Sequence, residues 1–222
     1  MSHTLTALAA AVPLAAGWTV HGLWQRNLID RAGRDALTGL PRRATFEKAG
    51  ARILRKTRQG LVAVLVIDLD GFKQINDIHG HAAGDIAIRE TGHRLAQWAE
   101  PLGAVARLGG DEFAAAIRCA DVDAVRGELT HLHQWLCSIV TYEGRPLPLG
   151  VSIGAYRSTP DGPAPDLSSA LRAADEAMYG VKQTGGGWTI KHTLSPDYRT
   201  VNGRRDGRRG TDFDLELDGG AS

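Results

Sequence analysis

Two short acidic segments of this chain have the residue types and spacing for metal-dependent chemistry. Asp68 and Asp70 follow the apolar run LVAVLVI, and Asp111 and Glu112 follow two glycines. In a strand, the period of two would put the side chains of Asp68 and Asp70 on one face, where their charges repel. A hard divalent cation with oxygen ligands relieves such repulsion. The first pair therefore favours a metal site, with capping of the next helix by one acid as the simpler alternative.

The second acidic segment has an ordinary explanation when it is taken alone. Gly109 and Gly110 between two apolar runs are typical of a tight hairpin turn. If this turn and the end of the first strand are neighbours, Asp68, Asp111 and Glu112 converge on one site. Such a site suits two Mg²⁺ ions, which activate a hydroxyl and stabilise a departing pyrophosphate. The residue types then favour nucleotidyl transfer.

The elements that must position these acids have the pattern of a mixed α/β domain. The continuous aliphatic run at residues 61–67 predicts a strand that is buried on both faces. Periodicity predicts the remaining elements. Further strands are expected at residues 104–108, 113–117, 147–156 and 188–190, and helices at 42–56, 84–98, 121–136 and 166–183.

Composition and charge indicate one globular domain and argue against some kinds of partner. The 222 residues are 43% hydrophobic, which suffices for one sizeable core. With 26 Lys and Arg against 25 Asp and Glu, no global field attracts nucleic acid, and we expect no nucleic-acid partner. Cys119 and Cys137 lack a metal-type spacing, and we expect reduced thiols.

The N-terminal segment, residues 1–33, contains a long apolar stretch. Residues 4–24 contain no Asp, Glu, Lys or Arg and are long enough to cross a hydrocarbon core as a helix. Their alanine content and Pro13 weaken insertion, so a helix that packs on a dimer partner or on the domain is the alternative. The arginines that follow predict a cytoplasmic catalytic domain, anchored to the inner face of the membrane if the helix inserts.

The C-terminal segment, residues 191–222, is polar. It contains NGRRDGRRG followed by the acidic DFDLELDGG. So little of it can contribute to a core that we predict a disordered tail.

Four blocks of the sequence, taken together, resemble the GGDEF family of diguanylate cyclases. They are DALTGLPRR at 35–43, DLDGFKQINDIHGHAAGD at 68–85, RLGGDEF at 107–113 and ADEAMYGVK at 174–182. Their joint occurrence in this order, over about 150 residues, is far more specific than a lone glycine-rich match. The resemblance implies a nucleotide-cyclase palm-like fold over residues 34–190, of class α/β (α+β), with a central, mostly antiparallel sheet surrounded by helices. It also implies the condensation of two GTP molecules into cyclic di-GMP and two pyrophosphates.

The resemblance further implies roles for individual residues. Asp68 and Asp111 would bind two Mg²⁺ ions, or Mn²⁺, through their side chains, and Leu69 through its carbonyl. Glu112, together with Asp111, would carry catalysis by helping to deprotonate the attacking 3′-hydroxyl. The positions that match GTP-binding residues are Asn76 and Asp85 for guanine, Gly71, Phe72 and Lys73 for the phosphates, Gly109 and Gly110 where the backbone approaches the ligand, and Lys182 for the terminal phosphate. Outside the family context, each of these residues has an ordinary structural explanation, such as a turn residue for Asn76 or a helix N-cap for Asp85.

The same resemblance implies partners. One site holds one GTP, so each 3′-hydroxyl must meet the α-phosphate bound on a facing subunit, and a homodimer follows. Proteins that bind cyclic di-GMP would act downstream.

Two departures from the family pattern bear on activity. Gly186 stands where the last helix of the family is commonly followed by a phosphate-binding arginine. Loss of that contact would weaken GTP binding by about 1.5 to 3 kcal/mol. A catalytically weak or inactive GTP-binding regulatory module is therefore the alternative function. The second departure is at Glu100–Gly103, where many members carry the Arg-x-x-Asp of an inhibitory product site.

Overall fold

The structure is a computed structural model that describes residues 33–57, 59–159, 162 and 165–194. Five helices and seven strands occur in this part of the chain. The helices are α1 (Arg43–Lys56), α2 (Phe72–His79), α3 (His81–Ala99), α4 (Val122–Leu136) and α5 (Leu167–Gln183). The strands are β1 (Leu61–Asp70), β2 (Gly103–Gly109), β3 (Glu112–Cys119), β4 (Val140–Tyr142), β5 (Arg145–Leu147), β6 (Gly150–Arg157) and β7 (Gly187–Lys191).

The main sheet has five strands in the order β2-β3-β1-β6-β7. Every neighbouring pair is antiparallel except β6 and β7, which run parallel. Helices α3 and α4 pack on one face, and α1 and α5 pack on the other. This arrangement confirms the predicted α/β class with a central, mostly antiparallel sheet surrounded by helices.

Strand β1 occupies the centre of the sheet because its aliphatic run can be buried on both faces. Its odd-numbered residues from Leu61 to Leu69 pack against α3 and α4, whereas Val62, Val64 and Val66 pack against α1 and α5. The strand continues through Asp68 to Asp70, beyond the predicted end at residue 67. Asp68 and Asp70 therefore share the face that is covered by α5.

Three elements differ from the sequence prediction. Helix α2 was not predicted, because its eight residues, between Gly71 and Gly80, are too few to establish a helical period. Helix α3 begins at His81 rather than residue 84, immediately after Gly80, whose φ of 82° separates it from α2. The predicted strand at 147–156 is divided between β5 and β6, and β4 with β5 forms a separate small hairpin.

The prediction that the protein is anchored to a membrane is wrong for the helices that the structure describes. In the described ranges, no helix combines the length and the apolar character that crossing a bilayer requires. The segment 4–24, on which the prediction depended, lies outside the described residues. So does most of the predicted tail, since description ends at Leu194.

Candidate active site

Strand pairing brings the two acidic segments together at one end of the central sheet. Asp68 on β1 lies opposite Glu112 on β3 and opposite Ser152 on β6. The backbone N–H of Leu69 donates a hydrogen bond to the carbonyl oxygen of Asp111, at 3.3 Å. Residues separated by more than 40 positions in the chain thus become direct neighbours.

The turn between β2 and β3 exposes its backbone beside these acids. The pairing shifts register between Arg107 and Gly109, and Gly110 has a φ of 53°, which favours glycine. Apart from the adjacent residues of the chain, no atom lies within 4 Å of the position that a Cβ atom would take at either Gly109 or Gly110. A ligand can therefore approach the main chain of this turn closely.

Asp68 is the most buried acid of the group, with 7% of its surface exposed. Burial raises the pKa of its carboxyl group, a hydrogen bond from Lys182 lowers it, and the charges of Asp111 and Asp70 raise it; the net shift is upward. The ammonium group of Lys182, on α5, contacts Asp68 Oδ1. A cation beside Asp68 thus relieves the unfavourable concentration of negative charge.

The donor atoms fit magnesium, although the described residues contain no ready-made cluster of three or more metal-binding side chains. The carboxylates of Asp68 and Asp111 and the carbonyl of Leu69 offer oxygen ligands only. Mg²⁺ is commonly held by one or two carboxylates together with waters and substrate phosphates rather than by a complete protein cage. Two carboxylates and one carbonyl are therefore enough ligands for the protein to supply to such an ion.

The predicted phosphate loop follows directly from β1. Gly71 has a φ of 64° and precedes α2 without any side-chain capping bond, so neither Asp68 nor Asp70 caps that helix. Asp70 instead accepts a hydrogen bond from Ser152 Oγ at 2.7 Å. Phe72 is partly buried against the core, and Lys73 is exposed.

The two residues predicted to recognise guanine lie on the paired helices α2 and α3. A Cβ atom at Gly84 would lie 2.1 Å from Asn76 Oδ1, so the absence of a side chain at Gly84 lets the amide pack against α3. Asp85, the next residue, is half-exposed and lies 3.5 Å from Arg89 Nη2. Since α3 begins at His81, Asp85 is not a helix N-cap.

Arg107 supports the hairpin turn, whereas its position in the sequence suggested that it could partly replace the missing phosphate-binding arginine. Arg107 donates two hydrogen bonds to the carbonyl oxygen of Gly110, from Nε at 3.0 Å and from Nη2 at 2.7 Å. Its Nη1 lies 2.9 Å from Asp35 Oδ1. The guanidinium group is thereby engaged by the turn and by Asp35 rather than pointing free toward a phosphate.

Asp35 completes this support. Its Oδ1 also accepts hydrogen bonds from the N–H of Thr38 at 3.0 Å and from Thr38 Oγ1 at 2.8 Å. Burial raises the pKa of Asp35, but the hydrogen bonds from Arg107 and Thr38 outweigh burial and leave the pKa below its ordinary value of 3.8. We name Asp35, Arg107 and the Gly110 carbonyl the turn clasp.

The position of the missing arginine has a backbone that favours glycine. Gly186 has a φ of 95°, and its neighbours Gly185 and Gly187 also have positive φ. A Cβ atom at Gly186 would lie 2.9 Å from Asp70 Oδ2. Position 186 therefore lies at the edge of the acidic site, but an arginine there would require this backbone to change.

Comparisons of this chain with a family model, with related sequences and with solved structures agree on one family. A family model described as diguanylate cyclase, GGDEF domain, matches residues 32–187. The chain is 44% identical over 174 residues to an uncharacterized 19.3 kDa protein in the repSA 5′ region of Streptomyces ambofaciens, an alignment that covers 78% of this chain and 91% of that protein.

Two further relatives carry more informative names. The diguanylate cyclase DgcZ of Escherichia coli is 32% identical over 161 residues, which cover 70% of this chain and 52% of DgcZ. This chain thus spans about half the length of DgcZ. A crystal structure of a sensory box/GGDEF family protein from Caulobacter crescentus superposes with a TM-score of 0.60 at 36% identity, covering 69% of this chain and 99% of that one.

Proposed function

The chain belongs to the GGDEF family of diguanylate cyclase domains, and from that membership we propose that it condenses two GTP molecules into cyclic di-GMP and two pyrophosphates. The observation that supports this activity best is the pairing of β1 with β3, which makes Asp68 a neighbour of Asp111 and Glu112. Acids at these positions suit a reaction in which a 3′-hydroxyl attacks an α-phosphate and pyrophosphate leaves.

The residues of the acidic site have separate roles in this proposal. Asp68, Asp111 and the Leu69 carbonyl hold Mg²⁺, which neutralises phosphate charge and lowers the pKa of the attacking hydroxyl when it is bound. Glu112 accepts the proton of that hydroxyl. Lys182 moves from Asp68 to the terminal phosphate when substrate and metal supply the balancing charges.

The remaining contacts select and orient the substrate. Asn76 and Asp85 recognise the guanine edge, since a carboxylate accepts from the base N–H groups and an amide both donates and accepts. The backbone at Gly71, Phe72, Gly109 and Gly110 approaches the phosphates, and Lys73 adds an ammonium. These residue roles, like the Mg²⁺ requirement, are part of the proposal.

The active form in this proposal is a homodimer. Each chain holds one GTP, and cyclisation requires two α-phosphates to be attacked in opposite directions. Two sites that face each other across a twofold axis satisfy this requirement.

The direct test is incubation of the full chain with GTP and Mg²⁺, followed by chromatographic separation of the nucleotides. We expect cyclic di-GMP and pyrophosphate, no product from ATP alone, and a Michaelis constant raised about ten- to a hundredfold relative to members that retain the arginine absent at position 186. GTP binding without turnover would instead favour a non-catalytic regulatory module, for which the missing arginine is the specific argument. Mixed cyclic dinucleotides from GTP with ATP would contradict strict guanine selection.

A second expectation concerns inhibition by the product. The segment Glu100–Gly103 offers no guanidinium group, and a Cβ atom at Gly103 would lie 1.9 Å from the carbonyl oxygen of Ala116. An aspartate at that position therefore conflicts with the present backbone. We expect the initial rate to be unchanged when micromolar cyclic di-GMP is added. Inhibition that excess GTP does not overcome would contradict this expectation.

A further inference from the structure

A basic cleft lies between α1 and the β2–β3 hairpin, away from the acidic site. Its volume is about 290 Å³, and its rim carries Arg52 and Lys56 from α1 and Arg118 from β3. All three side chains are exposed, and no acidic residue lines the cleft. Within the described ranges, none of the three side chains forms a hydrogen bond or an ion pair. The cleft therefore presents three positive charges without internal compensation.

The uncharged lining of this basic cleft is apolar and mostly small, and it consists of Ala49, Ile53, Gly103 and Ala104. At Gly103 a side chain is excluded by the neighbouring strand, since its Cβ would lie 1.9 Å from the Ala116 carbonyl oxygen. Gly103 and Ala104 belong to β2, the edge strand of the sheet, so the cleft opens at that edge. A narrow trough with an apolar floor and a basic rim suits an extended segment that carries both acidic and apolar side chains.

The chain contains one such segment outside the described residues. Residues 212–218 read DFDLELD, in which acidic and apolar residues alternate. In extended backbone, alternate side chains lie about 6.6 Å apart on one side. Arg52 and Lys56, four residues apart on α1, lie about 6 Å apart along the helix axis. The acidic spacing thus matches the basic spacing.

The connection is long enough to reach the cleft. Lys191 at the end of β7, Tyr156, Val64 and Ala116 form one row across the sheet, and Arg118 is two residues beyond Ala116 on β3. Three strand spacings separate β7 from β3, or about 14 Å. Residues 195–211 provide 17 connecting residues, whose root-mean-square span as a flexible chain is about 22 Å.

From this match of charge, spacing and reach, we propose that the acidic segment 212–218 of the chain binds in its own basic cleft, against Arg52, Lys56 and Arg118. The site is distinct from the active site, because Arg118 lies opposite Val62, six residues before Asp68 on β1. The proposal is independent of the cyclase activity proposed above.

Carbodiimide coupling tests this contact in the full chain, because it forms an amide directly between an amine and a carboxylate, with no spacer, and so reports pairs that come into contact. We expect Lys56 to couple to residues 212–218, as located by mass spectrometry, about tenfold more than Lys48, which lies on α1 but does not line the cleft. The double substitution Arg52→Gln with Arg118→Gln leaves Lys56 in place and is expected to reduce its coupling by roughly five- to tenfold, as for the loss of two surface ion pairs. The same loss is expected in wild-type chain at 0.5 M salt, where the Debye length is only about 4 Å.

The matched control is Arg126→Gln on α4, which removes an exposed arginine from the helix layer on the opposite face of the sheet. We expect it to leave the coupling of Lys56 unchanged. Equal coupling of Lys48 and Lys56, or no loss in the Arg52→Gln/Arg118→Gln chain, would overturn the proposal and favour pairing of the acids with the arginine run at 204–209. A mixture of isotope-labelled and unlabelled chains completes the test, since coupling between the two species would show that a second copy's segment fills the cleft.

Discussion

Replacing Asp111 with asparagine is expected to lower cyclic di-GMP formation by a factor on the order of a thousand, because loss of a metal ligand removes several kcal/mol of transition-state stabilisation. The same change is not expected to lower the melting temperature of the metal-free protein. The charge of Asp111 raises the pKa of buried Asp68, so these carboxylates repel each other in the folded state. Asp111→Asn removes that repulsion and keeps the shape of the side chain.

Two measurements distinguish a loss of metal binding from a general loss of folded structure. Adding Mg²⁺ or Mn²⁺ is expected to raise the melting temperature of the wild-type chain but to have much less effect on the Asp111→Asn variant. The control is Asp123→Asn, an exposed acid in the first turn of α4, which should retain both the activity and the metal-dependent shift. Wild-type turnover by Asp111→Asn would defeat the assignment of Asp111 as a metal ligand. If the Asp111→Asn variant were inactive but Mg²⁺ raised its melting temperature as much as in the wild-type chain, Asp111 would act in catalysis rather than in metal binding.

Disruption of the turn clasp is the second large effect that we expect. Arg107→Ala removes two hydrogen bonds to the Gly110 carbonyl and one to Asp35. A hydrogen bond to a charged group contributes about 1.5 to 3 kcal/mol. Because the two bonds to Gly110 are exposed and only the bond to Asp35 is partly buried, we expect the free energy of unfolding to fall by about 1.5 to 3 kcal/mol rather than by three times that amount. Activity should fall more than tenfold even at temperatures where the variant is fully folded, because the turn that carries Asp111 loses its support.

A double-mutant cycle locates this effect in the turn clasp. Asp35→Ala and Arg107→Ala should be strongly non-additive in both stability and activity, since they remove the two sides of one interaction. Asp121→Ala is the stability control: it removes the N-cap of α4, at a cost of about 1 kcal/mol, far from the turn. If Asp121→Ala reduced activity as much as Arg107→Ala, the clasp would be only a stabilising contact.

The pH dependence of the clasp has a defined direction. The pKa of Asp35 is held below 3.8 in the folded state. Its contribution to stability is therefore fully present above pH 3.8 and is lost as the pH falls through the lowered folded pKa. The Arg107→Ala chain should show a smaller loss of stability over that acidic range than the wild-type chain.

Local patterns in the sequence were sufficient for most of the fold. The aliphatic run of β1 and the glycine turn between β2 and β3 identified the central elements, because burial on both faces and tight turns each demand particular residue types. Most helix limits agree with the structure within one residue. Helix α2 and the β4–β5 hairpin were missed, since they contain too few residues for a period to be recognised.

The acidic site was predictable only in part. The residue types of Asp68, Asp111 and Glu112 indicated metal chemistry, but their convergence was conditional on which strands are neighbours. Their pairing across β1 and β3 meets that condition. Their catalytic roles, and those of the GTP-binding residues, stay predictions.

Residue type and short spacing were sufficient for the family, for the order of the longer elements and for the kind of chemistry that the acidic residue types suit. Tertiary structure alone decided the partners of side chains far apart in the chain: Arg107 with Asp35, 72 positions away, and Lys182 with Asp68, 114 positions away. It also set the positive φ of Gly186, so that an arginine at position 186 would require the local backbone to change. The physical reason is that strand register and helix packing, which set these contacts, result from burial of the whole core rather than from any local pattern.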